Sequence, residues 1–186
     1  AADGRVVVRV EEDLKNLDPA NRTGTIEVNV ILAVNQGLVK FKPGSTEWEN
    51  DAAEEIKQVS DTLIEFKLKE GLKFTGGYGD LTAEDVKFSF ERFKPAADGT
   101  KVDYADDWAA LDSVEVTGPL TGKIHLKHPS PAVWLIALAD GSGAIISKKA
   151  FEKLGDKFKT TPIGSGPYML KEWVPRDHFT LVANPD

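Results

Sequence analysis

Thr161-Pro-Ile-Gly-Ser-Gly-Pro-Tyr-Met-Leu-Lys-Glu-Trp173 is the stretch whose reading decides the fold. Two glycines flank Ser165, which suits a nucleophile's elbow, a phosphate-cradling loop or a tight turn into a strand. An elbow of the form Gly-x-Ser-x-Gly needs a residue on each side of the serine, and here the glycines are its direct neighbours, with Pro167 after them. The only candidate bases are His125, His128 and His178, and no spacing pairs one of them with Ser165. A phosphate loop would continue with a lysine and a hydroxyl into a helix, whereas Pro-Tyr-Met-Leu reads as a strand. The turn remains: Gly164 and Gly166 are expected at positive φ, Pro167 sets the direction, and Tyr168 opens a strand.

The same weighing disposes of the other motifs. His125-Leu-Lys-His128 could share a metal ion on a helix, but on a strand residues three apart face opposite ways. Gly76-Gly-Tyr-Gly79 lacks the strand-to-helix context of a dinucleotide fingerprint, and Asn21-Arg-Thr23 is a glycosylation sequon only in an exported eukaryotic protein. The chain has no cysteine, which removes disulfides, thiolate metal sites and cysteine nucleophiles. Its 23 Lys and Arg against 30 Asp and Glu give a net charge of −7, which opposes nucleic acid and anionic membranes as partners. No apolar run approaches the roughly 18 residues a membrane span needs; the longest is Ala132 to Ala139. No catalyst, metal or cofactor is expected, and binding is favoured over catalysis.

Outward from the opening stretch, the pattern alternates strands and helices. Arg5 to Val10 reads as a buried strand, Thr25 to Val34 as a helix capped by Thr25, and Leu38 to Phe41 as a strand before a turn at Lys42 to Ser45. Thr62 to Lys69 alternates strictly, with Ile64, Phe66 and Leu68 on one face. Thr82 caps the clearest helix, with Glu84 and Asp85 in its first turn, Val86, Phe90 and Phe93 on its buried stripe, and Pro95 at its end. A polar loop leads to Trp108, and a hairpin follows about Gly118 to Gly122. A short apolar helix after Ser130-Pro131 should turn Trp134, Leu135 and Leu138 inward; a second runs from Ser147 to Gly155. Tyr168 to Val174 and Phe179 to Val182 are the last strands. The acidic runs Glu47 to Glu55 and Asp98 to Asp112 read as solvated faces.

The order of motifs carries a resemblance. Leu17-Asp-Pro19, Asn35-Gln-Gly-Leu-Val-Lys-Phe-Lys-Pro-Gly-Ser-Thr-Glu47, Phe66 to Phe74, Leu81-Thr-Ala-Glu-Asp-Val-Lys-Phe-Ser-Phe-Glu-Arg92, Pro162-Ile-Gly-Ser-Gly-Pro-Tyr168 and Asn184-Pro-Asp186 together resemble the family 5 extracellular solute-binding proteins, the dipeptide and oligopeptide receptors of bacterial ABC importers. One departure is Ala52-Ala-Glu-Glu-Ile56, where members commonly have an aromatic in place of Ile56. The resemblance implies an α/β fold of mixed sheets and helices, the first-lobe portion of a type II periplasmic-binding-protein clamshell, incomplete because the second lobe is missing. It implies residues 1–35 as the start of the lobe I core, 36–160 as the family's subdomain and 161–186 as strands returning to that core. The implied function is capture of a peptide-like solute between two lobes and its delivery to the transmembrane permease, with the rest of the same protein as the second lobe.

By the same resemblance, Thr23, Gly24 and Thr25 would pair with an extended ligand backbone, Gly24 permitting close approach. Tyr104 and Trp108 would wall the ligand, and Gly141 and Ser142 would lie at its selective edge. The start at Ala-Ala-Asp3 resembles a mature terminus after removal of an export signal, and so a periplasmic protein. Two other readings stand beside this one: the ligand-sensing domain of a transcription regulator with the same fold, and a hydrolase that uses Ser165.

Overall fold

A computed structural model describes residue 4 and residues 6–185. Helix α1 (Thr25–Val34) is followed by strands β1 (Val39–Phe41), β2 (Trp48–Asn50), β3 (Ala53–Ser60), β4 (Leu63–Leu68), β5 (Lys73–Phe74) and β6 (Gly79–Asp80). Then come α2 (Ala83–Glu91), the hairpin β7 (Leu111–Gly118) and β8 (Thr121–Leu126), α3 (Lys148–Leu154), and the hairpin β9 (Tyr168–Val174) and β10 (His178–Ala183). Tight helical turns at Ala105–Trp108 and Gly141–Gly143 join these elements, with a wider turn at Trp134–Leu138 between them. The expected mixed α/β architecture is present.

The larger core lies on a four-stranded antiparallel sheet of order β3-β4-β8-β7. Register places Ile64 opposite Ile124 and Ile124 opposite Val114, so three fully buried β-branched side chains form one row across the sheet. Phe66 faces Gly122, where a Cβ would come within 2.5 Å of the Phe66 ring; the ring occupies the room that glycine leaves. Helix α2 packs on this sheet through Val86, Phe90 and Phe93, each 2% exposed or less, and each such burial contributes roughly 1.5–3 kcal/mol. Its start follows from sequence alone: Asp85 Oδ2 accepts from the backbone N–H and the hydroxyl of Thr82, the reciprocal cap the spacing predicts.

A smaller core joins the two ends of the chain. Leu14, Leu17, Val30, Ile31 and Val34 are buried together with Ala144, and Leu170, Trp173, Phe179 and Leu181 of the last hairpin pack against them. The opening stretch is the hinge of this arrangement, for a different reason than expected. Neither Gly164 nor Gly166 has positive φ. Each instead lies against the end of α1: a Cβ on Gly164 would sit 2.1 Å from the Val34 carbonyl oxygen, and one on Gly166 2.6 Å from the Val34 carbonyl carbon. Gly166 N–H donates to Val34 O at 2.8 Å, and Thr75 N–H to Gly164 O at 3.0 Å, so the strand leaves from a backbone-on-backbone contact.

Three further expectations are corrected. Residues 6–10 form no strand; Val6, Val7 and Val8 are 84%, 79% and 73% exposed, because no described strand pairs with them, while Arg5 lies outside the described residues. Helix α1 is capped at Gly24, not Thr25: Glu27 reaches back to the Gly24 N–H. Leu135 is 43% exposed, since the wide turn at Trp134–Leu138 turns Ala137 and Leu138 inward instead. Asp186, the end of the last motif, and Ala1 to Asp3 lie outside the described residues. No helix among the described residues is long and apolar enough to cross a membrane.

Candidate functional site

The loop between Leu17 and α1 is held by carboxylates. Asp18 Oδ1 accepts from Ala20 N–H at 3.1 Å, and Oδ2 from Arg92 Nη2 at 2.6 Å. The Arg92 guanidinium also lies 4.3 Å from the Phe151 ring centre. Two motifs far apart in sequence, Leu17-Asp-Pro19 and the end of α2, are thereby one structural joint.

Glu27 is 2% exposed and organises the next turn. Its carboxylate accepts from the backbone N–H groups of Lys15 (2.8 Å), Asn16 (3.1 Å), Thr23 (2.6 Å) and Gly24 (2.5 Å), and from the Thr23 hydroxyl. Burial pushes its pKa up, but hydrogen bonds from Asn16, Thr23 and Lys15 outweigh that, and the carboxyl titrates below its ordinary value. Thr23 and Thr25 are exposed beside this cage and Gly24 is half-buried, so the segment is rigid while one side of it meets solvent.

Arg22, which the sequence reading did not single out, joins most of the remaining candidate residues. It is 3% exposed, and its guanidinium carbon lies 3.6 Å from the centre of the Tyr104 ring. Nη1 donates to Pro19 O at 2.7 Å and to Ser142 Oγ at 2.9 Å; Nη2 lies 3.4 Å from Asp107 Oδ2. The Ser142 hydroxyl donates to the same Asp107 oxygen, and Gly141 leaves room for the guanidinium, since a Cβ there would lie 3.2 Å from Arg22 Nε. The backbone adds Tyr104 N–H to Ala20 O at 3.2 Å.

The structure thus brings Tyr104, Gly141 and Ser142 around Arg22, next in the chain to Thr23-Gly24-Thr25. Trp108 belongs to the same packing from beneath: it is 2% exposed, stacks on Phe90 at 4.3 Å between centroids, and donates Nε1–H to the Ser142 carbonyl at 2.9 Å. Ser142 is fully buried, so the groups this wall presents to solvent are Thr23, Thr25, the partly exposed Tyr104 and one side of Asp107. The signal that could have found Arg22 was its charge in an otherwise uncharged turn, Pro19 to Gly24; its partners lie 85 and 120 residues away and cannot be read from spacing.

The deeper concavities lie elsewhere. One of about 720 Å³ runs beside the stacked Trp48 and Trp134 rings, and one of about 500 Å³ lies along β9 beneath Ile163. Neither includes Arg22 or its partners. Among the described residues no three His, Cys, Asp or Glu side chains are grouped to hold a metal ion. His125 bonds to Glu115 at 2.9 Å on the sheet and His128 is exposed, so the two rings share nothing. Ser165 Oγ is buried without a hydrogen-bond partner, and no histidine reaches it.

Comparison with known proteins agrees with this frame. Residues 47–186 match the sequence model of the bacterial extracellular solute-binding proteins, family 5 Middle. The glutathione-binding protein GsiB of Escherichia coli K12 is 34% identical over 170 residues, covering 90% of this chain and 32% of GsiB. Among solved structures, MoaA of A. tumefaciens R10 in complex with mannopinic acid superposes with a TM-score of 0.85 at 35% identity, over 93% of this chain and 35% of MoaA. DppA of Helicobacter pylori, in complex with the peptide STSA, gives 0.81 at 26% identity, over 94% and 38%. The chain therefore spans about a third of the length of these relatives. They are solute-binding proteins rather than enzymes, of a periplasmic or extracellular family. This chain belongs to the bacterial extracellular solute-binding proteins of family 5.

Proposed function

We propose that the chain is the first-lobe portion of the substrate-binding component of a bacterial ABC importer, one that captures peptide-like solutes between two lobes and delivers them to the membrane permease. The observation that carries this reading is the wall around Arg22. The segment Thr23-Gly24-Thr25 is held rigid because Glu27 takes the Thr23 and Gly24 N–H groups, it exposes Thr23 and Thr25 along one edge, and it is backed by the cluster of Arg22, Ser142 and Asp107. Such a surface can pair with an extended solute backbone and desolvate it once a second lobe closes over it. Residues 1–35 and 161–186 fit one unit through the smaller core, and 36–160 a subdomain built on the four-stranded sheet. Export to the periplasm with removal of a leader belongs to the same reading.

Isothermal titration calorimetry of the full-length protein against di-, tri- and tetrapeptides, glutathione and opines tests it. Heat with peptides or glutathione is the expected result; heat only with sugars or opines would overturn the peptide part. The segment 1–186 alone should bind far more weakly than the full-length protein, since one wall excludes little water from a solute.

A further inference from the structure

Asp107 is held by one oxygen and free at the other. Oδ2 accepts a hydrogen bond from the Ser142 hydroxyl and faces Arg22 Nη2. Oδ1 accepts no hydrogen bond from any described residue, and the side chain is 21% exposed. The turn beneath it cannot yield, because Trp108 is buried against Phe90 and bonded to the Ser142 carbonyl.

The local charge is also uneven. Arg22 and Lys101 stand against Asp103, Asp106 and Asp107, so the turn and the arginine together keep one unbalanced negative charge. Asp103 and Asp106 are exposed and solvated, whereas Asp107 is fixed in direction by two partners. A carboxylate that is preorganised, partly desolvated and open to solvent on one oxygen can receive a cationic N–H donor. An anionic group at the same place would meet like charge, and the one unpartnered donor of Arg22, Nε–H, is buried and out of its reach.

From this geometry we infer that Asp107 is a specificity-determining residue of the wall, selecting solutes that carry a basic side chain, a primary ammonium of the lysine or ornithine kind, and that Arg22 and Ser142 position it. The inference rests on the peptide-like reading of the site and narrows it. The ammonium donates to Asp107 Oδ1 when the solute backbone lies along Thr23 to Thr25. Arg22 is the positioning residue: it supplies the charge that fixes Oδ2 and leaves Oδ1 outward.

The test is calorimetry on the full-length protein with tripeptides carrying lysine in place of alanine at each position in turn, each paired with its norleucine counterpart of equal length and no charge. At the best position the native protein should bind the lysine peptide about tenfold tighter than the norleucine one, the value of one charge-assisted hydrogen bond. Asp107→Asn keeps an acceptor for Ser142 and should bind both alike. Asp107→Glu, which retains the charge, should keep a reduced preference, and melting curves establish that each variant is folded. Tripeptide binding with no lysine preference in the native protein, or a preference that survives in Asp107→Asn, would overturn this inference while leaving the peptide reading intact. Failure of the native protein to bind any tripeptide would overturn both.

Discussion

At the scale of single residues, burial rather than charge decides what each polar group does. Glu27 and Asp107 are both carboxylates near α1, yet Glu27 has its oxygens saturated by backbone N–H groups while Asp107 keeps one oxygen open. For Glu27 the sign of the pH dependence is fixed by its lowered pKa. The folded chain holds the carboxylate better than the unfolded chain does, so this stabilisation is present above the ordinary value of 4.5 and is lost as pH falls through the folded value. Chemical denaturation between pH 7 and pH 3 should show that loss, and Glu27→Gln should flatten it while costing about 1–3 kcal/mol at pH 7, as buried N–H groups lose their acceptor. Gly164→Ala should be worse, by about 3 kcal/mol or more, because the new methyl meets backbone that cannot swing aside. Ser165→Ala should be neutral or slightly stabilising, as the hydroxyl is already buried without a partner. A Ser165→Ala variant that lost a measurable turnover would instead revive the hydrolase reading.

At the scale of elements, the joint between the Asp18 turn and α2 is the most consequential link. Arg92 and Asp18 are 12% and 9% exposed in their side chains, so removing one partner strands a charge in a largely dry place. Arg92→Gln should therefore lower stability by on the order of 3 kcal/mol in urea denaturation, far more than loss of an exposed pair such as Lys42 with Glu47. The elements themselves were unequally legible. Strand β4 and helix α2 announce themselves, because alternation and a capping box are local signals. Strand β3 does not: Ala53 to Ser60 is mostly exposed and carries three charged residues, and it is a strand because β4 offers it backbone partners. The valines at positions 6–8 are the converse, strand-forming by composition and unpaired in the structure.

At the scale of the whole molecule, the larger core and the smaller one at α1 should open at different free energies. Strands β4 and β8 are central in a four-stranded sheet under the larger core, whereas β9 and β10 form a two-stranded hairpin whose inward residues are only partly buried. Native-state hydrogen exchange should find amides of β4 and β8 protected the longest and those of β9 and β10 exchanging sooner; equal protection across both would show that the cores unfold as one.

What the sequence by itself determined is whatever is written in short range: the cap and stripe of α2, the alternation of β4, the two hairpins, the absence of a nucleophile's elbow at Ser165, and the ordered motifs that mark the family. What only the tertiary structure decided is which distant residues share a place. Spacing offers no reason for Arg22 to meet Asp107 and Ser142, or for Asp18 to meet Arg92, because those partners are chosen by how the sheet and helices pack. The glycines of the opening stretch show the division most plainly. Gly164 and Gly166 read as positive-φ positions in the sequence, but what requires glycine there is the nearby end of α1, a steric fact that exists only once the chain has folded back on itself.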